Sequence, residues 1–178
     1  MRHPFFAIIF IASLAHSATA KPEKQWQGTV THVTDGDTLW VQAKDPAIGS
    51  TPRKIRIEGI DAPESCQPYG RQSTLALKQL VAQQSVTVTT SRLDDYGRDV
   101  AKISLSNMDV GAWMVSHGHA WSYHYRHSAG PYAEQEHIAQ LAQRGLFADA
   151  SAIQPSVFRR AQGSCYTPKD ALRHTPRN

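Results

Sequence analysis

An α+β fold, a five-stranded β-barrel carrying three helices, is predicted by three observations. Five segments are β-rich, helical spacing is confined to stretches after the third and fifth of them, and the first three follow one another with no helix between. The last point disfavours an open α/β sheet, where helices alternate with strands. The 178 residues fit one domain, and 40% apolar residues are enough for a core, which excludes a coiled coil, a collagen and a disordered tail. The net charge of +4 points to a polyanionic partner.

The first twenty residues are set apart from the fold. Arg2 and His3 precede an apolar run from Phe5 to Ala15, and Ala18 and Ala20 supply a small-x-small cleavage pattern before Lys21. These are the three parts of a secretory signal, and the run is too short to span a bilayer. Residues 1–20 are therefore expected to be removed, leaving a secreted or periplasmic chain with no stable membrane association; the alternative is an anchor that stays attached. Arg2 is the only charge lost, so the processed chain keeps a net +3. Export also changes the reading of the two cysteines, because thiols join under oxidising conditions. A Cys66–Cys165 disulfide is expected, closing a long loop worth on the order of 4 to 5 kcal/mol in the chain-entropy picture; the alternative is two unpaired thiols.

The elements follow in order. Gln25 to Ala43 reads as a hairpin turning at Asp35-Gly36-Asp37, with Val30, Val33, Leu39 and Val41 apolar. After a stretch broken by Pro46, Gly49 and Pro52, Arg53 to Ile60 alternates again as a third strand and stops at Asp61-Ala62-Pro63-Glu64. Gly70 to Gln83 has helical spacing in Leu75, Leu77, Leu80 and Val81. Val86 to Thr90 and Val100 to Leu105 are two more strands, joined by the turn-rich segment 94–98. A second helix is predicted from an Asn107 N-cap to His117, ended by Gly118, and a third from Pro131 to Arg144, ended by Gly145. Residues after Pro155 are expected to be irregular, with a domain over 21–160 and a tail over 161–178. This arrangement is OB-fold-like.

Four segments carry chemistry: T-D-G-D-T at 34–38, R-I-E-G-I-D-A-P-E at 56–64, D-Y-G-R at 95–98 and G-H-A-W-S-Y-H-Y at 118–125. Singly, each has a plain explanation. Asp35-Gly36-Asp37 reads as a hairpin turn that tolerates positive φ, Asp61 and Glu64 as a solvated turn, Arg98 as a surface residue, and the aromatics as packing. Together they fit phosphodiester hydrolysis, which needs charge neutralisation, an activated water and a stabilised pentacovalent transition state. The hard carboxylate oxygens of Asp37 and Asp61 suit Ca²⁺ or Mg²⁺. Arginine's planar fork grips phosphate in a way lysine cannot, which selects Arg56 and Arg98. Glu64 is placed to take a proton from the attacking water. His117, His119, His124 and His127 are read as packing and surface residues and not as a zinc site, because their spacing gives no convergent ligand set.

D-G-D-T, then R-x-x-x-x-D-x-P-E, then Y-G-R, in this order on strands and turns of a barrel, resembles the staphylococcal (micrococcal) nuclease family over about residues 25–160. The resemblance implies a Ca²⁺-dependent nuclease of DNA and RNA, with one ion per chain, that cuts between phosphorus and the 5′ oxygen and leaves 3′-phosphates. It also implies a monomer, and single-stranded substrate is expected to be preferred. By position, Asp37 and Asp61 correspond to the calcium carboxylates, the Ala62 carbonyl to a further ligand, and Asp35 to a supporting residue just outside. Arg56 corresponds to the scissile-phosphate arginine, Arg98 to the one stabilising the transition state and leaving group, and Glu64 to the general base or water-orienting residue. Tyr96 and Tyr123 are the candidate substrate contacts, with Trp121 and His124 leaving that register open by one residue. Where the family's reference enzyme has a lysine before the tyrosine of Y-G-R, this chain has Asp95. The competing reading is a non-catalytic barrel that binds nucleic acid, the form expected if the acids and arginines were replaced; here none is.

Overall fold

Period-two alternation of apolar residues builds the barrel strands, and shifts of register between neighbouring strands curve them. In the computed structural model, which describes residues 24–163 and Cys165, Trp26, Gly28 and Val30 of β1 (Lys24–Asp35) face the core, and the inward face resumes at Val33. The register with β2 (Thr38–Ala43) shifts between Val30 and His32, so an extra residue on β1 bends the strand and restores its inward face. β3 (Arg53–Ile57) pairs antiparallel with β2, and a turn separates it from the two-residue β4 (Ile60–Asp61). After α1 (Gly70–Val81) come β5 (Ser85–Leu93), β6 (Asp99–Leu105) and β7 (Met108–Asp109). The sheet order is β3-β2-β1-β5-β6-β7, and a parallel pairing of β3 with β6, Ile55 opposite Asp99 and Ile57 opposite Ala101, closes five strands into a mixed barrel. The rest of the chain forms α2 (Val110–Ser116), β8 (Trp121–Ser122) paired with β4, α3 (Ala133–Leu141), a 3-10 turn (Gly145–Ala148) and α4 (Pro155–Gln162). Among the described residues, no helix is long and apolar enough to cross a membrane.

The expected α+β barrel is present, but with four helices among the described residues where three were expected. The fourth, α4, occupies the stretch expected to be irregular and runs past residue 160. Pro155 opens it with a φ suited to a first turn, Phe158 is buried, and Gly163 ends it at φ 78°. The expected helix start at Asn107 also moves. Ser106 and Asn107 both have positive φ, 47° and 69°, and form a two-residue hairpin turn that pairs Leu105 with Met108. The cap is Asp109, whose Oδ1 accepts the Ala112 N–H at 3.0 Å. The expected signal over 1–20 and, apart from 161–163 and Cys165, the expected tail over 161–178 lie outside the described residues.

The core is one cluster inside the barrel and beneath α1, including Val30, Leu39, Ile55, Ile57, Leu77 and Ile103. Of the apolar residues that give α1 its helical spacing, Leu77 and Val81 pack inward beside Ser73 and Ala76, and Leu75 is exposed. Buried Ser73 donates its hydroxyl to the His119 carbonyl at 2.7 Å, which satisfies it there.

Ser73 also explains Gly36. This glycine is not at positive φ; a Cβ on it would overlap Ser73 Oγ and crowd the Ala62 side chain. The hairpin tip carrying Asp37 is thus pressed between α1 and the start of the segment after β4. Gly36→Ala is expected to destabilise the fold by about 1–3 kcal/mol through overpacking, measured as a lowered urea midpoint; Gly36→Ala with Ser73→Ala should recover part of the loss.

Candidate active site

Three neighbouring pieces of the barrel end converge on a buried charge cluster. The β1–β2 hairpin presents Asp37, the C-terminal half of β3 presents Arg56, and β4 presents Asp61; both aspartates are buried. The tip is pinned to the barrel wall by the Ile57 N–H, which donates to the Asp37 carbonyl at 2.8 Å. Asp37 then spends its carboxylate on the site. Oδ1 accepts from Arg56 Nη1 at 2.7 Å and from the Thr38 hydroxyl at 2.9 Å, and Oδ2 accepts the Ala62 N–H at 3.0 Å. The second guanidinium nitrogen of Arg56 donates to Asp61 Oδ1 at 3.0 Å, so one arginine bridges both aspartates. Burial works against the Arg56 charge, but Asp37 and Asp61 outweigh it and hold its pKa above the ordinary arginine value.

Asp35 stands beside this cluster: its Oδ1 accepts the Asp37 N–H at 3.1 Å. Burial, then the neighbouring Asp37 charge, push its carboxyl up to about 7. Glu64 follows Asp61 on the turn opened by Pro63. Its backbone is clamped by Gln67, which accepts the Glu64 N–H on Oε1 at 3.2 Å and returns its own N–H to the Glu64 carbonyl at 2.9 Å.

The hydrolytic constellation read from the sequence is therefore largely brought together: Asp37, Arg56, Asp61, Ala62 and Glu64 lie in one hydrogen-bonded network, with Asp35 at its edge. Residues 54–149 match the family described as staphylococcal nuclease homologue, more than half of the chain. The chain belongs to the staphylococcal nuclease family. It is accordingly a nuclease, a hydrolase of phosphodiester bonds. An uncharacterized endonuclease of Escherichia coli O157:H7 is 38% identical over 133 residues, covering 74% of this chain and 84% of that one. A micrococcal nuclease of Shigella flexneri is 32% identical over 149 residues, 76% and 82% of the two chains. A probable staphylococcal-like nuclease of Oryza sativa subsp. japonica is 35% identical over 122 residues, 68% of this chain but 32% of that longer protein.

Other residues expected at the family site lie outside this network of contacts. Arg98, one residue before β6, donates from Nε to Asp94 Oδ2 at 2.7 Å. Asp94 also accepts the N–H groups of Tyr96 and Arg98, at 3.0 and 2.9 Å. Partial burial pushes Asp94 upward, but these donors outweigh it and hold its carboxyl below the ordinary range. Tyr96 is exposed, its ring 5.4 Å from the Arg98 guanidinium carbon. Tyr123, also exposed, follows β8, and its N–H donates to the Gly59 carbonyl at 2.8 Å, beside the turn between β3 and β4. His117 stacks on Trp113 with ring centres 4.2 Å apart, and His119 Nδ1 lies 3.1 Å from the Tyr69 hydroxyl.

Two participants were not assigned from the sequence. Gln67 clamps Glu64, and Arg159 of α4 donates to both Asp61 and Glu64. Burial again opposes the charge of Arg159, and the two carboxylates raise its pKa above the ordinary value. The signal for α4 was legible in Pro155, a proline in the first turn, and Gly163, just past the last one; α3, expected over 131–144, is shorter, Ala133–Leu141, because the chain turns at Gln143 with φ 49° and Gly145 opens the 3-10 turn. Nothing in sequence spacing relates Arg159 to a carboxylate 95 residues earlier.

The Cys66–Cys165 disulfide expected from the sequence is formed, with Cα atoms 5.7 Å apart. Among the described residues, no group of three or more His, Cys, Asp and Glu side chains converges to hold a metal. The donor set fits a hard cation held by fewer protein groups. Two buried carboxylates of the network already share a positive charge, Arg56, and every side-chain acceptor around it is oxygen.

Because the folded-state pKa of Asp35 is raised, the native chain binds a proton that the unfolded chain releases near pH 4. Its contribution to stability is full below that and is lost as the pH rises to about 7. In chelator, the unfolding free energy is expected to fall across that window. Asp35→Asn should flatten this dependence, as checked by urea titrations at pH 4.5, 6 and 7.5; an unchanged slope would assign the dependence to another group.

Proposed function

We propose that this chain is an exported, calcium-dependent nuclease, secreted or periplasmic, that hydrolyses DNA and RNA to 3′-phosphate ends as a monomer and prefers single strands. The observation that carries the reading is the buried Asp37–Arg56–Asp61 bridge with Glu64 on the adjoining turn. The resemblance of the motifs to the family and the disulfide typical of oxidising compartments support calcium and export respectively.

Asp37, Asp61 and the Ala62 carbonyl are the groups that would hold the ion, and calcium, when bound, supplies positive charge to a phosphate oxygen and to the attacking water. The chain's own residues do the rest. Glu64 accepts a proton from water as its oxygen bonds to phosphorus. Arg56, preorganised by two carboxylates, binds a non-bridging phosphate oxygen, and its fork costs little reorganisation when charge develops there. Arg98, released from Asp94, stabilises the pentacovalent charge and the departing 5′ oxygen. That P–O bond breaks, the 5′ oxygen takes up a proton, and a 3′-phosphate and a 5′-hydroxyl remain. Exposed Tyr96, two residues before Arg98, and exposed Tyr123, bonded to the Gly59 carbonyl at the turn between β3 and β4, offer stacking faces for unpaired bases.

The test is cleavage of heat-denatured DNA and of RNA by the purified protein with Ca²⁺, with Mg²⁺ and with chelator, followed by end-group analysis. Calcium-dependent cutting that leaves 3′-phosphates is expected. Retained, salt-sensitive binding without cutting would make the chain a nucleic-acid-holding barrel. Asp37→Ala should abolish cleavage while unfolding stays cooperative. Arg98→Lys should lower turnover by about 100-fold or more with little change in KM, because a point charge cannot reproduce the fork; an unchanged turnover number would leave Arg98 to the Asp94 turn alone.

A further inference from the structure

The turn that carries the site's acids is tied to the C-terminal segment three times within seven residues. Arg159 Nη1 donates to Glu64 Oε1 at 2.8 Å and to Asp61 Oδ1 at 3.2 Å, and its Nη2 donates to Asp61 Oδ2 at 3.1 Å. Cys66 is bonded to Cys165, three residues beyond the end of α4. Buried Gln67 donates from Nε2 to the Ile153 carbonyl at 2.8 Å, two residues before α4 begins. A helix of eight residues that buries only Pro155 and Phe158 would not stay docked by propensity. Here both of its ends are fastened to the turn bearing Asp61 and Glu64, and its middle delivers a guanidinium to them.

We propose that α4 is a strap and that Arg159 is a positioning residue of the nuclease site, held in place by the Cys66–Cys165 disulfide. The role differs from that of Arg56, which joins Asp37 to Asp61 from within the barrel wall. Arg159 joins Asp61 to Glu64, the ion-binding acid to the water-activating one, and so fixes the Glu64 carboxylate relative to the site. Two consequences of opposite sign follow. Glu64 without Arg159 loses its fixed direction, so turnover falls. Asp61 without Arg159 loses a competing positive charge, so a divalent cation binds more tightly. A damaged fold would weaken both. The turnover part rests on the proposed calcium-dependent reaction; the cation part does not.

The experiment compares the protein with Arg159→Gln, Arg159→Lys and Cys66→Ser/Cys165→Ser, measuring Ca²⁺ affinity by calorimetry without substrate, and kcat and KM on single-stranded DNA. For Arg159→Gln, kcat is expected to fall by about tenfold or more with KM changed less than about threefold, and Ca²⁺ to bind severalfold tighter. Arg159→Lys restores the charge but not the two-pronged reach, so Ca²⁺ affinity should return close to that of the unaltered protein while kcat stays low. The double cysteine variant should shift in the same two directions as Arg159→Gln. Unchanged Ca²⁺ affinity and kcat in Arg159→Gln, or a loss of both together, would overturn the positioning role; a double cysteine variant identical to the unaltered protein would overturn the strap. If the unaltered protein cuts nothing, the calcium-dependent reading fails, and the calorimetry still decides whether Arg159 competes at Asp61.

Discussion

The bridge from Asp37 through Arg56 to Asp61 is the constraint around which this barrel end is organised. It takes three charges into a largely buried setting, where each would be strongly unfavourable alone. Removing one partner of such a pair typically destabilises by about 3–5 kcal/mol, because the others are left buried and uncompensated. The arrangement therefore fixes more than chemistry. It requires the β1–β2 hairpin tip, β3 and β4 to sit within hydrogen-bond reach of one another, and the Ile57 and Ala62 N–H groups complete that fit by donating to Asp37. A polar cluster whose members are this fully satisfied rigidifies the site before any substrate arrives.

Packing supplies the precision that the charges need. Gly36 lets the hairpin tip approach Ser73 of α1, and Ser73 is anchored to His119, so the helix behind the site and the segment leading into β8 set the height of the Asp37 loop. The parallel closure of β3 on β6 fixes the other side, and Asp99 there is held by Arg53, with contacts of 2.6 and 2.9 Å. In the turn that runs into β6, Asp94 organises the residues around Arg98 and Tyr96. Two arginines are thus held ready in different ways: Arg56 by buried acids, Arg98 by one turn acid on a flank of the barrel.

The C-terminal helix changes the picture of where the domain ends. Its eight residues are short for independent stability, yet a disulfide, a buried glutamine and an arginine hydrogen-bonded to two carboxylates fasten it to residues 61–67. The barrel core and the segment after Pro155 consequently meet at the turn where the acids sit, and the last part of the described chain belongs to the site as much as the D-G-D-T hairpin does.

Local rules made most of the barrel legible in the sequence. Alternation in Arg53–Ile57 and Val100–Leu105, the helical run after Gly70, and the ordered motifs around Asp37, Arg56, Asp61, Glu64 and Arg98 are properties of neighbours along the chain, and so they identified the fold class and the acids of the network directly. The misread positions have physical causes of another kind. Asn107 looked like a cap, but two consecutive positive-φ residues made a hairpin and handed the cap to Asp109. Gly36 looked like a residue chosen for positive φ, whereas it is required by the approach of α1. The sequence by itself determined which carboxylates and guanidiniums stand at the turns of the barrel, because that depends on residue identity and short spacing. Only the tertiary structure decided that Arg159 meets Glu64 and joins Arg56 at Asp61, because Arg159 lies nearly a hundred positions from both carboxylates, and its partners are selected by packing and a disulfide.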